Sequence, residues 1–163
     1  MSSVVRLVAG MLLCAALAPQ ADAAASKKQP PYFGSIAAGR ARMRTGPART
    51  YPASWLYQRA DLPIRVVAVF KEWRRVEDPD GTQGWMQANL LSERRTAVVR
   101  SPQPIPMLDR PTPGGHVMWR AAPGVVGRIS ECGNGWCRMD VKGQAGFVET
   151  SGLWGVDAGE TLP

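Results

Sequence analysis

The side chains with chemistry to offer are rings and guanidinium groups. Tyr51, Trp55, Tyr57, Trp73 and Trp85 crowd the first half of the chain, interleaved with Arg42, Arg44, Arg49, Arg74 and Arg75. Rigid aromatic faces hold extended peptides or sugars at small entropic cost. Guanidinium groups grip carboxylates and phosphates through paired N–H donors. The chemistry implied is non-covalent binding. In so small a unit about half of such rings belong to the core. Trp73 and Trp85, on strand-like segments, are the expected core or half-core members. Tyr51, Trp55 and Tyr57, in or beside an irregular loop, are the expected surface rings. The groove candidates are therefore Tyr51, Trp55, Tyr57, Arg44, Arg49, Trp73 and Trp85.

Groups for covalent or acid–base catalysis are scarce. The single histidine, His116, follows Gly114-Gly115 in a turn-like stretch with no nucleophile context. Glu77, Asp78 and Asp80 surround Pro79 and Gly81, the spacing of a β-turn rather than of a paired acid and base. No glycine-rich phosphate loop precedes a helix. Cys132 and Cys137 have only His116 as a further candidate ligand, whereas zinc takes four. No tight Cys-x-x-Cys motif is present. No catalytic residue, metal site or cofactor is expected, and the reading is of a non-enzyme.

The elements that must position the rings are short β segments arranged twice. Trp73-Arg74-Arg75-Val76, a turn, Gly84-Trp85-Met86 and Leu91 form one pattern. Trp136-Cys137-Arg138-Met139, a shorter turn, Gly146-Phe147-Val148 and Leu153 form the other. Duplication on this scale points to two copies of one small β module. Phe33–Met43 reads as a first strand, Ile64–Phe70 as a β-branched one, and Asp78-Pro79-Asp80-Gly81 as a turn. Gln87-Ala88-Asn89 reads as a short helical turn. In the second copy Val117-Met118-Trp119 is matched to Trp55-Leu56-Tyr57, and Gly124–Ile129 to Ile64–Phe70. No helical apolar stripe of useful length follows the leader, and 14 prolines and 17 glycines punctuate the chain. The fold class is all-β, two tandem small barrels. Each copy is near the size at which burial barely exceeds chain entropy, so the copies are expected to dock and share core.

Residues 1–23 read as a signal peptide. Arg6 precedes an apolar run of about 11 residues, too short for the ~20 that span a bilayer. Cleavage fits at Ala23 or Ala25. The remaining divisions are a flexible leader over 24–32, repeats over 33–93 and 97–155, and a flexible tail over 156–163. No transmembrane segment is expected after cleavage, and the location is periplasmic or secreted. Loss of Cys14 with the leader leaves Cys132 and Cys137 as a pair about a hairpin turn at Gly133-Asn134-Gly135. A structural disulfide there is favoured over free thiols. The formal net charge is +7, dominated by arginine. It suits an anionic partner as well as simple solubility. Cell-wall polymer, lipopolysaccharide or anionic lipid fits an exported chain better than nucleic acid, for which no motif is present.

These residues resemble the bacterial SH3 family, small open β barrels of exported and wall-associated proteins. The resemblance is carried by Arg42-Met43-Arg44-Thr45-Gly46-Pro47, Tyr51-Pro52, Trp73-Arg74-Arg75-Val76, Asp80-Gly81 and Gly84-Trp85-Met86. Cys132 with Trp136-Cys137-Arg138 is similar to a proteobacterial two-repeat subfamily. The resemblance implies a non-catalytic binding module in the cell envelope, for peptidoglycan or its stem peptides. The alternatives are a periplasmic adaptor that binds an envelope protein or peptide through an SH3-type groove, and, ranked last, a cell-wall hydrolase. The second copy lacks the Gly-Pro opening and has Leu108-Asp109-Arg110-Pro111, which suits a structural or docking role.

Overall fold

The computed structural model describes residues 28–163. The signal-peptide reading, both cleavage sites and Cys14 lie outside the described residues. The first sheet contains β1 (Tyr32–Ile36), β2 (Ala41–Arg44), β3 (Ala53–Tyr57), β4 (Pro63–Phe70), β5 (Trp73–Glu77), β6 (Gln83–Gln87) and β7 (Leu91–Ser92), with a 3-10 turn at Ala88–Leu90. The second contains β8 (Thr96–Val99), β9 (Ile105–Leu108), β10 (Val117–Ala121), β11 (Val126–Gly133), β12 (Trp136–Val141), β13 (Gln144–Glu149) and β14 (Leu153–Trp154), with a 3-10 turn at Thr150–Gly152. The strand orders are β3-β2-β6-β5-β4-β1-β7 and β10-β9-β13-β12-β11-β8-β14. Each second-copy strand replaces its first-copy counterpart at the same place in the order. The all-β expectation of two small barrels holds.

The repeated Gly-aromatic-aliphatic triplet has a packing cause. β2 lies across β6 at Gly84, where an added Cβ would sit 2.7 Å from Met43 Sδ and 2.9 Å from the Arg44 carbonyl oxygen. At Gly146 the same atom would lie 2.9 Å from Met107 Cβ. Only glycine lets the two strands approach this closely. The aliphatic members, Met86 and Val148, are fully buried, and the aromatic members, Trp85 and Phe147, stand half-buried on the outer face. Ile36, Met43, Ile64, Val66, Val76 and Met86 form the first core. Val99, Met107, Ile129, Met139, Val148 and the two cysteines form the second. Burial of each large aliphatic side chain contributes about 1.5–3 kcal/mol.

The structure corrects one strand reading and two matches between the copies. Phe33–Met43 is two strands, because the chain leaves the sheet at Ala37, whose N–H donates to the Leu90 carbonyl at 2.8 Å. Met43 pairs with Trp55 and Met107 with Trp119, so Trp119-Arg120-Ala121 stands in place of Trp55-Leu56-Tyr57. The counterpart of Pro63–Phe70 is Val126–Gly133, an eight-residue strand in each copy. Matching by side-chain type drew aromatic to aromatic, whereas backbone pairing decides the position.

Cys132 and Cys137 are joined, with Cα atoms 4.1 Å apart. The intervening turn has Asn134 at φ 51° and Gly135 at φ 82°, the pair of positive values that a tight hairpin requires. Gly133 pairs with Trp136 across it.

The two copies touch. Phe33 of β1 meets Trp154 of β14 edge to face, centroids 5.1 Å apart. Arg65 and Arg95 lie over the Phe33 ring at 5.3 and 5.7 Å. Arg95 in turn holds Glu160 through both terminal guanidinium nitrogens, and its Nη2 also donates to the Gly155 carbonyl at 2.8 Å. Residues 156–163, expected to fray, are tied to this seam. Leu162 N–H donates to the Cys132 carbonyl and Glu131 N–H to the Pro163 carbonyl, each at 3.0 Å. The segment supplies partners for backbone groups at the irregular end of β11, and Val156 and Leu162 pack on the second core.

Candidate functional site

On β2 the side chains alternate. Ala41 and Met43 are buried in the core, while Arg42 and Arg44 face outward. Arg40, in the bend before the strand, lines the same groove. Across the sheet Arg42 pairs with Leu56, Arg44 with Trp85, Trp85 with Arg75, and Gln87 with Trp73. These residues share the outer face of four adjacent strands. An open groove of about 490 Å³ runs over that face, lined by Arg40, Arg42, Arg44 and Arg49, with Trp73 and Leu56 among its walls. Trp73 is only 3 % exposed and lies outside the core cluster. It is the buried floor of a surface groove, a role between the core and surface alternatives.

The loop that carries Arg49 is shaped by Gly46 and Tyr51. A Cβ on Gly46 would lie 2.6 Å from atoms of the Tyr51 ring, so the ring packs flat on the bare backbone. The Arg44 Nη1 group donates to the Tyr51 carbonyl at 2.7 Å, which ties the loop to β2. Among the described residues, none of the four groove arginines forms an ion pair with a carboxylate. Four unneutralised guanidinium groups round one concavity make it strongly attractive to anions.

The proposed groove set is thus brought together only in part. Arg44, Arg49 and Trp73 line the groove; Trp85 stands beside Arg44; Tyr51, 46 % exposed, braces the loop through its backbone and ring. Trp55 lies on the opposite face of β3 from Leu56, with its ring 6.5 Å from that of Tyr57. It is 57 % exposed at the barrel edge, away from the arginines. Tyr57 corrects the surface reading. It is buried, and its hydroxyl donates to Asp78 Oδ2 at 2.7 Å. Burial first, then that hydrogen bond, holds its phenol far above the ordinary tyrosine range. Asp78 Oδ1 accepts from the N–H groups of Asp80 and Thr82 at 3.0 and 2.8 Å, so this carboxylate organises a turn. Arg74 is turned to the hairpin backbone, where it donates to the Lys71 and Trp73 carbonyls. Sequence reasoning missed Arg40, Leu56, Gln87 and Leu90. The signal for Arg40 was the every-second-residue spacing Arg40-x-Arg42-x-Arg44 in the sequence, although the strand itself begins at Ala41.

The second copy has a groove at the equivalent place, about 350 Å³. Trp136 takes the position of Trp73, Pro106 that of Arg42 and Leu108 that of Arg44. Arg120 and Glu149 supply one charge of each sign. This concavity is apolar and near neutral where the first is cationic. His116 lies in the adjoining loop, where its N–H donates to Asp109 Oδ1 at 2.8 Å. Among the described residues no group of three or more His, Cys, Asp or Glu side chains is placed to hold a metal ion, and no helix is long and apolar enough to cross a membrane.

A family model described as bacterial SH3 domain matches the chain twice, over residues 37–93 and 101–155. No curated protein matches the chain. Among solved structures, NlpC1 from Trichomonas vaginalis is similar at 15 % identity and a TM-score of 0.36, with 80 % of this chain and 48 % of that chain covered. NlpC2 from the same organism is similar at 14 % identity and a TM-score of 0.36, with 81 % and 52 % covered. The chain spans about half the length of these two proteins.

Proposed function

The chain belongs to the bacterial SH3 domain family, and on that premise we propose that it is a non-catalytic binding module for cell-wall peptidoglycan or its stem peptides. The observation that carries this reading is the groove of Arg40, Arg42, Arg44 and Arg49 over Trp73, open to solvent and without a carboxylate of its own among the described residues. Stem peptides present carboxylates and short extended backbones, which forked donors beside an exposed strand face suit. The Cys132–Cys137 disulfide supports a periplasmic or secreted location, since such bonds persist outside reducing compartments.

A second reading, an envelope adaptor, draws on the exposed row Val117, Met118 and Trp119 along the edge strand β10. Sedimentation with purified sacculi separates the two. The wall binder goes to the pellet at low salt, returns to solution as salt rises, and loses the pellet fraction on Arg42→Gln with Arg44→Gln. A chain that stays in the supernatant at low salt refutes wall binding. Soluble fragments released from the sacculi during the incubation would overturn the non-catalytic reading.

A further inference from the structure

The arginines of the first groove are spaced as well as clustered. Arg42 and Arg44 occupy alternate positions on β2 and face outward, and Arg40 sits in the bend just before the strand. The two strand members are therefore about 6.6–6.8 Å apart, twice the rise of a strand residue. Any other extended peptide repeats its same-side residues at that same interval. Arg49, carried by the braced loop, adds a further guanidinium group to the lining.

The second barrel is an internal comparison. It keeps the strand order, the glycine crossing and the tryptophan, yet register puts Pro106 and Leu108 where Arg42 and Arg44 stand. The barrel therefore does not require arginine at these places. Core packing does not require it either, because Arg40 and Arg42 are exposed and Arg44 is half-buried.

We infer that the first groove recognises an extended peptide bearing carboxylates on alternate residues, one guanidinium per carboxylate, and that the second groove takes no such ligand. This rests on the reading of the first groove as an anion site, and adds the spacing, the stoichiometry and the residues that set both. Arg44 is pre-oriented by its bond to the Tyr51 carbonyl, Arg42 takes the next carboxylate along the strand direction, and Arg40, in the adjoining bend, closes on the third. Leu56, exposed above the buried Trp73, offers the ligand backbone an apolar contact.

The test is calorimetric titration of the full chain at low salt with two capped peptides of equal charge, Glu-Thr-Glu-Thr-Glu and Thr-Glu-Glu-Glu-Thr. The expected result is one site per chain and tighter binding of the alternating peptide. Arg42→Gln, and separately Arg40→Gln, weaken it by about tenfold, the loss of one charge-assisted pair. Arg110→Gln removes the same charge from an exposed position of the second barrel and leaves the affinity unchanged. Equal affinity for the two peptides, no binding of either, or two equivalents per chain overturns the inference. Sacculi that sediment with a chain indifferent to both peptides defeat the spacing alone. Spacing-selective peptide binding by a chain that ignores sacculi defeats the wall reading alone.

Discussion

Tyr57→Phe separates a packing role from a binding role at one position. The hydroxyl is buried and donates to Asp78 Oδ2 at 2.7 Å, and Asp78 itself is 5 % exposed. The substitution deletes one oxygen and leaves the ring, so the cavity term is small. A hydrogen bond to a charged acceptor in this setting is worth about 2 kcal/mol net. Asp78→Ala also removes the acceptor for the Asp80 and Thr82 N–H groups. Those two residues are exposed, so water replaces part of the loss, and the total comes to about 3 kcal/mol. The double substitution costs no more than Asp78→Ala alone, which leaves a coupling of about 2 kcal/mol between the pair. Alkali supplies an independent check. The folded pKa of Tyr57 is raised, so its stabilisation is complete below the unfolded value of about 10 and falls away above it. There the unfolded chain releases a proton that the folded chain retains, and stability drops by about 1.4 kcal/mol per pH unit relative to Tyr57→Phe. The advantage of the parent is gone about 1.5 units above the ordinary tyrosine pKa. Urea denaturation followed by tryptophan fluorescence, at neutral pH and in steps above pH ~10, measures both quantities. A parent and variant of equal stability at neutral pH, or with parallel alkaline slopes, would refute the buried-pair argument. Sacculus sedimentation by folded Tyr57→Phe is expected to match the parent; a selective loss would return this ring to the groove.

Two further outcomes concern the second barrel and the seam. The disulfide closes a separation of five residues, for which chain-entropy reasoning gives about 2 kcal/mol. Cys132→Ala with Cys137→Ala is expected to lower the thermal midpoint and remove its sensitivity to reductant; a parent whose melting ignores reductant contradicts this. Glu160 is held below the usual carboxylate range, first by its hydrogen bonds from Arg95. Its contribution is complete above the unfolded value of about 4.3 and is lost as pH falls through the lowered folded value. Glu160→Gln removes that acid-sensitive part, so parent and variant converge in stability on acidification; curves that stay parallel from neutral to acid pH exclude a role for the pair.

Much of the architecture was legible in the residues. The twin Trp and Gly-aromatic-aliphatic patterns mark equivalent strands, Asp78–Gly81 forms the expected turn, and the helical turn falls at Ala88–Leu90. The cysteine pairing was legible because an Asn-Gly turn sets its flanks opposite each other. The candidate site was half legible. Arg44, Arg49 and Trp73 were found, but Trp55 and Tyr57 were grouped with them by nearness along the chain. A strand sends neighbours to opposite faces, so Leu56 and not Trp55 meets Arg42. The tail looked polar and free, yet Arg95 and the open backbone groups of β11 bind it.

Local patterning by itself determined that this chain makes short strands twice, with glycine at each crossing and aliphatic side chains inward. Those properties follow from sterics and the two-residue period of the extended backbone, which act between near neighbours. Tertiary structure alone decided which rings are buried, which arginines share a groove, and that two equivalent concavities differ in charge. Each of those depends on the register between strands distant in sequence, and one residue of register moves a side chain from one face of the sheet to the other.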